Sequence, residues 1–390
     1  MLKKIPENSS LHDYLPVFSD SIPSELGVVF EALWAQDKEV YIVGGAVRDC
    51  LLGITVTDFD IITNSHPEEV ERLLNAKGIK TKRIGGEFGT ILAIFSKKAI
   101  FEISTFRQET YSSYGPPEIV FVDSLEDDLP RRDFSFNAII YDPRNHEFID
   151  KYNGFEDLQK GTIRTIGDAY TRFSEDGTRI IRLARFVSQF NLNIHSNSLA
   201  GLEAIGKNPR FFSYTTLQKE LFKLLSLPDP TKGLSLLWQN EFFSALFPQF
   251  PLLKSKAKGV KSEKILINFS KIPSRDVWIR LFGLLLFLSE KKDQTEETWR
   301  SVGLNLKITN KGLKKLIHIF HSCLKFPIYP EAKELKRWIR ATGINTSEDL
   351  VQLIFLKAEL ENRSDILSKK EKYLKEVQVI LESFRHGVSS

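Results

Sequence analysis

Between Tyr41 and Thr63 the chain reads YIVGGAVRDCLLGITVTDFDIIT. An apolar run stops at two adjacent glycines and passes into Arg48 and Asp49. It ends with Asp58 and Asp60, one residue apart inside a second apolar run. The spacing predicts a strand, a tight turn, a short helix and a second strand, which excludes a purely helical N-terminal domain. On a strand, residues i and i+2 share a face about 7 Å apart. Two carboxylates in that position repel one another unless a cation lies between them or solvent screens them.

The pattern continues from Val40 to Ile149. Strands are predicted at Val40–Val43, Phe59–Ile62, Thr90–Phe95, Ile100–Thr105, Ile119–Val122 and Ala138–Tyr141. Helices are predicted at Pro23–Ala35, Ala46–Leu52 and Pro67–Ala76, the last with Ser65 as its N-cap. From Asp168 onward helical periodicity takes over, with helices expected at Arg179–Phe190, Leu217–Leu225, Thr231–Gln239, Val277–Lys291, Lys311–Leu324 and Leu350–Leu360. The stretch Ser255–Lys264 reads as a linker or exposed loop, and Gly343 with Asn345 marks a turn.

Length and charge agree with a divided molecule. At 390 residues the chain exceeds one core. Residues 1–150 carry 15 Lys and Arg against 25 Asp and Glu, whereas residues 151–390 carry 39 against 25. An acidic first part and a basic second part suggest that the second holds a polyanion such as nucleic acid. Only Cys50 and Cys323 are present, so no disulfide framework is implied and a cytoplasmic setting is expected. The N-terminus has no apolar core of a signal peptide. Val277–Leu288, the most apolar segment, carries Arg280 and reads as a buried helix rather than a membrane span.

Glu102 interrupts another apolar strand, in IFEISTF. Asp58, Asp60 and Glu102 on neighbouring strands form the oxygen-rich set that Mg²⁺ prefers, with phosphates completing its octahedron. Taken alone, a D-x-D is more simply a capped strand end. Gly44 and Gly45 ahead of it change the balance, because unobstructed amides between a strand and a helix attract phosphate.

GGAVRDCLLG (Gly44–Gly53) followed by TDFDIIT resembles the signature of class II template-independent nucleotidyltransferases in the polymerase β superfamily, which includes tRNA nucleotidyltransferases (CCA-adding enzymes) and bacterial poly(A) polymerases. The resemblance continues in order through GGEFGTI (Gly85–Ile91), FEISTFR (Phe101–Arg107), SLEDDLPRRDFSFNAI (Ser124–Ile139) and EDGTRIIRLARF (Glu175–Phe186). It implies an α+β protein: a polymerase-β-like head with a mixed sheet, followed by an all-α neck, body and tail. The expected divisions are an N-terminal extension at 1–24, the catalytic head at 25–165, the neck at 166–250 and a tRNA-binding body and tail at 251–390.

By the same resemblance Asp58 and Asp60 hold two Mg²⁺ ions, with Glu102 as the third catalytic carboxylate. An RNA 3′-hydroxyl attacks the α-phosphate of CTP or ATP, and pyrophosphate leaves. Gly44, Gly45 and Arg48 hold the triphosphate, with Asp49 orienting Arg48 or capping its helix. Arg132, Asp133 and Asn137, at an expected helix start, contact ribose and phosphates, while Arg131 is equally readable as a surface ion pair. Asp176 and Arg179, i and i+3 on an expected helix, read the base edge of C or A. Arg182 and Arg185 extend that basic stripe toward the base site or the RNA.

Two features depart from the family pattern. The loop after TFRQE reads TYSSYGPPEIVF, without the usual basic element that is linked to switching from C to A addition. An expected Glu-Arg pair is replaced by Thr215-Thr216 before ELFKLL. The one His-Asp pair, His12–Asp13, lies near the start of the chain, so the HD phosphohydrolase activity of some relatives is not expected. His318 and His321 read as packing or surface residues. CC-only, A-only and poly(A) addition are the alternatives within the class, and a non-catalytic RNA-binding protein is the alternative outside it.

Overall fold

A computed structural model describes residues 4–112, 116–205, 209–210, 213–250, 269, 272, 276–289, 294–327 and 331–385. The expected linker at 255–264 lies outside them. The chain divides into two compact units, Met1–Glu175 with Leu192–Ala204, and Asp176–Asn191 with Ile205–Ser390.

The first unit is built on a seven-stranded mixed sheet. Its strands are β1 (Val40–Val43), β2 (Asp60–Thr63), β3 (Lys80–Ile84), β4 (Thr90–Ile94), β5 (Ile100–Thr105), β8 (Ile140–Asp142) and β9 (Glu147–Ile149), in the order β3-β4-β5-β2-β1-β8-β9. Strands β6 (Arg107–Thr110) and β7 (Glu118–Phe121) form a separate antiparallel hairpin. The β2–β5 pair is parallel and the other pairs of the large sheet are antiparallel. Inside this sheet β1 and β2 are dense in Val and Ile because most of their residues are buried, whereas β5 alternates exposed and buried positions, with Ile100 and Glu102 exposed and Phe101, Ile103 and Thr105 buried. One face carries a core of Val43, Ile62, Phe106, Leu125, Leu129, Ala138, Ile140 and Ile166.

Helices α1 (Leu15–Ser21), α2 (Ser24–Trp34), α3 (Gly45–Leu51) and α4 (Pro67–Ala76) complete the part of this unit that frames the site. Helix α4 falls where the sequence places it, but its N-cap is His66; the Ser65 hydroxyl instead donates to Glu69 at 2.9 Å. The N-terminal segment is integral to this unit. Phe18 is fully buried, with its ring 4.9 Å from Tyr141, 5.4 Å from Phe148 and 6.3 Å from Phe59. Phe59 separates the two aspartates, so this aromatic cluster backs the segment that carries them.

The second unit is helical. Helix α8 (Thr178–Gln189) packs with α10 (Tyr214–Leu225) and α11 (Thr231–Gln239). A buried ion pair joins the first two: Arg185 Nε donates to Glu220 at 2.7 Å. Thr215 and Thr216 are exposed in the first turn of α10, where Ser213 caps the Thr216 amide. The apolar segment forms a buried helix, Val277–Leu288, whose Arg280 donates to the backbone carbonyl of Leu225 at 2.7 Å and to that of Leu227. An apolar helix carries an arginine here because that arginine closes the end of α10. No helix among the described residues is long and apolar enough to cross a membrane. Gly343 separates the helices Ala332–Thr342 and Ile344–Leu360, and Asn345 lies inside the second rather than in the turn.

Close helix packing makes one position intolerant. A Cβ on Gly233 would lie 2.1 Å from the Ala184 carbonyl oxygen. Gly233→Ala should therefore force α8 and α11 apart and destabilise the second unit by roughly 1–3 kcal/mol, read as an earlier unfolding transition in urea. A transition at the wild-type midpoint would show that the helices can separate freely.

Candidate active site

The two aspartates stand at the start of a strand rather than within it. Strand β2 begins at Asp60, and Asp58 lies in the irregular segment before it. The register places Asp60 opposite Glu102 on the parallel neighbour β5 and opposite Val43 on β1. Asp58, Asp60 and Glu102 are all exposed to solvent. Solvent reaches Asp60, yet protein surrounds it on most sides. That partial desolvation, then the nearby Glu102 and Asp58 charges, raises its carboxyl to about 6 against the opposing pull of Arg132 and Arg48. A carboxylate held in this way gains from a cation placed beside it.

The turn after β1 brings backbone close to this carboxylate. Gly44 has φ 77° and ψ −122°, which only glycine adopts without strain, and a Cβ there would sit 3.8 Å from Asp60 Oδ2. Helix α3 follows and buries Arg48. Its guanidinium donates to Asp49 Oδ1 from Nε and Nη2 at 2.8 and 2.7 Å, and to Asn137 Oδ1 from Nη1 at 2.8 Å. Asn137 in turn donates to Asp133 at 3.0 Å. Asp49 thus orients Arg48, one of its two expected roles, and Asn137 and Asp133 continue the chain of bonds.

The PRRDFSFNA segment is not a helix start. A 3₁₀ turn ends at Arg131, Arg132 is extended, and a second 3₁₀ turn spans Ser135–Asn137. Arg132 is mostly buried, and its Nη2 donates to Asp128 at 2.8 Å. Its Nε–H is buried with no hydrogen-bond acceptor among the described residues. A buried guanidinium N–H without an acceptor is costly unless an anion completes it.

In the second unit Asp176 lies in a break between α7 (Ala169–Glu175) and α8, not within a helix. Its carboxylate accepts the Thr178 amide at 2.8 Å, and its carbonyl accepts the Arg179 amide at 3.1 Å. The expected pairing of Asp176 and Arg179 on one helical face is replaced by a capping turn, because Asp-Gly favours a turn over a helix interior. Arg179 is buried and Asp176 half-buried. Arg182 lies 3.6 Å from Glu220, which also pairs with the buried Arg185. His321 pairs with Glu296 at 2.7 Å and His318 Nε2 lies 3.2 Å from the Thr342 carbonyl, as packing and surface residues do.

Sequence reasoning missed Asp128, Glu109, Arg107 and Arg172, which form a charged network behind Arg131 and Arg132. The acidic run LEDD immediately ahead of the arginine pair was the available signal. Among the described residues no group of three or more His, Cys, Asp and Glu is assembled into a metal cage. Mg²⁺ is commonly held by one or two carboxylates with phosphates supplying other ligands, so the Asp60–Glu102 juxtaposition fits that ion better than it fits zinc.

Residues 40–164 match the family described as "Poly A polymerase head domain". The CCA-adding enzyme of Leuconostoc mesenteroides is 37% identical over 294 residues, which cover 75% of this chain and 70% of that protein. The CCA-adding enzyme of Streptococcus mutans is 34% identical over 312 residues, covering 78% and 71%. A crystal structure of the Bacillus stearothermophilus CCA-adding enzyme in complex with CTP superposes with a TM-score of 0.65 at 25% identity, covering 92% of this chain and 82% of that one. With the mixed sheet, the Asp60–Glu102 register and the helical second unit on the same chain, these likenesses make it a member of the CCA-adding enzyme family of nucleotidyltransferases.

Proposed function

We propose that this chain adds C and A residues from CTP and ATP to the 3′ end of tRNA, with Asp58 and Asp60 as the Mg²⁺ ligands and Glu102 as the third carboxylate. The observation that carries the assignment is the parallel register that sets Asp60 opposite Glu102, with Asp60 raised to about 6 by desolvation and by that neighbour. Bound Mg²⁺ would neutralise charge on the reacting phosphates and lower the pKa of the attacking hydroxyl.

The remaining roles belong to the protein. The Gly44–Gly45 turn lets the triphosphate approach the backbone. Arg132 supplies the buried Nε–H that lacks an acceptor, and Arg48 adds charge while Asp49 and Asn137 hold it in place. Asp133 and Asn137 stand on the ribose side. Asp176 and Arg179 read the base: a carboxylate accepts from the exocyclic amino group of C or A, whereas U and G place a carbonyl where that amino group would be and leave the carboxylate unpaired. The basic helical second unit grips the acceptor stem through phosphates and 2′-hydroxyls. The cytoplasm is the setting this reading implies.

Asp176→Ala tests the base-reading role. Losing one directed contact should relax discrimination of CTP and ATP against UTP and GTP by about 10- to 100-fold, the equivalent of roughly 1–3 kcal/mol. The measure is the ratio of kcat/KM values for single additions. Unchanged ratios would remove Asp176 from the base site.

A further inference from the structure

Asp128 is completely buried, and its carboxylate is shared among four donors. Oδ1 accepts from Arg131 Nε at 2.9 Å, Arg131 Nη2 at 2.6 Å and the Arg107 amide at 3.1 Å. Oδ2 accepts from Arg132 Nη2 at 2.8 Å. Glu109 closes the other side: its Oε1 accepts from Arg107 Nε at 3.0 Å and Arg131 Nη1 at 3.4 Å, and its Oε2 from the Tyr111 hydroxyl at 2.7 Å. From behind, Arg172 Nη2 donates to the backbone carbonyls of Arg131 and, at 3.1 Å, Arg132.

This arrangement separates the two neighbouring arginines by role. Arg131 is engaged by Asp128 and Glu109 and donates to the Arg107 carbonyl at 3.1 Å, so it serves as a tie to the β6–β7 hairpin. Arg132 is held to Asp128 by one Nη while its Nε–H is left buried and unsatisfied. Burial alone would raise the Asp128 carboxyl, but the Arg132 and Arg131 charges outweigh it and keep the group below the usual range. The carboxylate is therefore ionised whenever the enzyme works near neutral pH.

We infer that Asp128 is a positioning residue of the nucleotide site, holding Arg132 with its Nε–H presented to a phosphate of the incoming triphosphate, and that through Arg107 and Arg131 it fixes this arginine relative to the base of the β6–β7 hairpin. The inference rests on the proposed role of Arg132 as a phosphate ligand. Asp128 touches no substrate; it acts by restricting where the guanidinium can point, as outer partners do for metal ligands. A loose arginine would still carry its charge, but it would lose ordering entropy on each binding event.

The test is a double-mutant cycle of Arg132→Ala and Asp128→Asn in the full chain, read as KM and kcat for single CTP and ATP additions and as inhibition by inorganic pyrophosphate. Arg132→Ala should raise the nucleotide KM and weaken pyrophosphate inhibition by about 10- to 100-fold. Asp128→Asn should do the same by about 10-fold, with the tRNA KM unchanged and little further loss in the double variant. Asp128→Glu, which keeps the buried charge and displaces it, supplies the same reading if the Asn variant does not fold. An Arg132→Ala variant with wild-type nucleotide KM would overturn the phosphate role itself. A normal Arg132→Ala loss combined with fully additive effects, or a fall in kcat alone, would overturn the positioning role of Asp128 and leave Arg132 in place.

Discussion

Asp60→Asn should cut nucleotide incorporation by about 10³-fold or more while leaving tRNA binding intact. Metal-assisted charge stabilisation is worth several kcal/mol in phosphoryl transfer, and each ~1.4 kcal/mol is a factor of ten. Asparagine has the shape of aspartate without the charge a cation requires. The folded protein should tolerate it well. Asp60 faces Glu102 across the parallel pair, and desolvation together with that neighbour already disfavours its ionised form. Removing the charge relieves a repulsion, so thermal stability without Mg²⁺ should be equal or slightly higher. Any stabilisation that Mg²⁺ gives the wild type should disappear. Asp58→Ala should share the catalytic loss. Incorporation within ten-fold of wild type in either variant would sink the metal assignment.

Glu220→Ala should be the most damaging single change in the second unit. Its carboxylate is buried and accepts from Arg185 at 2.7 Å and Lys223 at 3.1 Å, with Arg182 at 3.6 Å. Truncation leaves the Arg185 charge buried without its carboxylate, a loss of about 3–5 kcal/mol. Burial alone would raise the Glu220 carboxyl, but Arg185, Arg182 and Lys223 prevail and lower it. The folded value is thus below the unfolded one. The stabilisation is fully present above the unfolded value and is lost as pH falls through the folded one. Trp238, Trp278, Trp299 and Trp338 all belong to this unit and Trp34 to the other, so tryptophan fluorescence in urea reports mainly on it. An unmoved transition at neutral pH would show that the pair carries no net stability.

The head was legible because its signals are local and redundant. The ends of β1, β5 and α4 agree with the sequence reading, since β-branched runs and a Pro-led helix start declare themselves. Strand β3, KTKRI, was not anticipated: it is an edge strand with a largely polar surface, and periodicity has nothing to register there. In the helical unit the apolar segments were found, but Ala332–Thr342 and Lys370–Arg385 were missed because charged residues dominate their composition, although each keeps a buried apolar stripe, Leu335, Trp338 and Ile339 in the first and Tyr373, Val377, Ile380 and Leu381 in the second.

The site divides along the same line. Motif order singled out Asp58, Asp60, Glu102 and Arg132 as candidates, whereas the groups packed around them could not be read from it. Asp128, Glu109 and Arg107 meet through the register of a hairpin and the close of a 3₁₀ turn, which no spacing rule encodes. Asp176 was placed on a helix because i, i+3 spacing suggested one. The Asp-Gly step instead ended α7, and the carboxylate caps the next helix.

The most direct test of the account is incorporation resolved to single nucleotides on a gel. Purified protein with Mg²⁺ is given three tRNA transcripts, ending at the discriminator base, after CC, or with complete CCA, together with CTP, ATP or both. The expected result is three additions to the first, one A on the second and none on the third. Arrest after two C residues, or A added only to the second, would identify a specialist and point to the TYSSYGPPEIVF segment, which lacks the basic element. Long A tails on all three transcripts, or no incorporation on any, would contradict it.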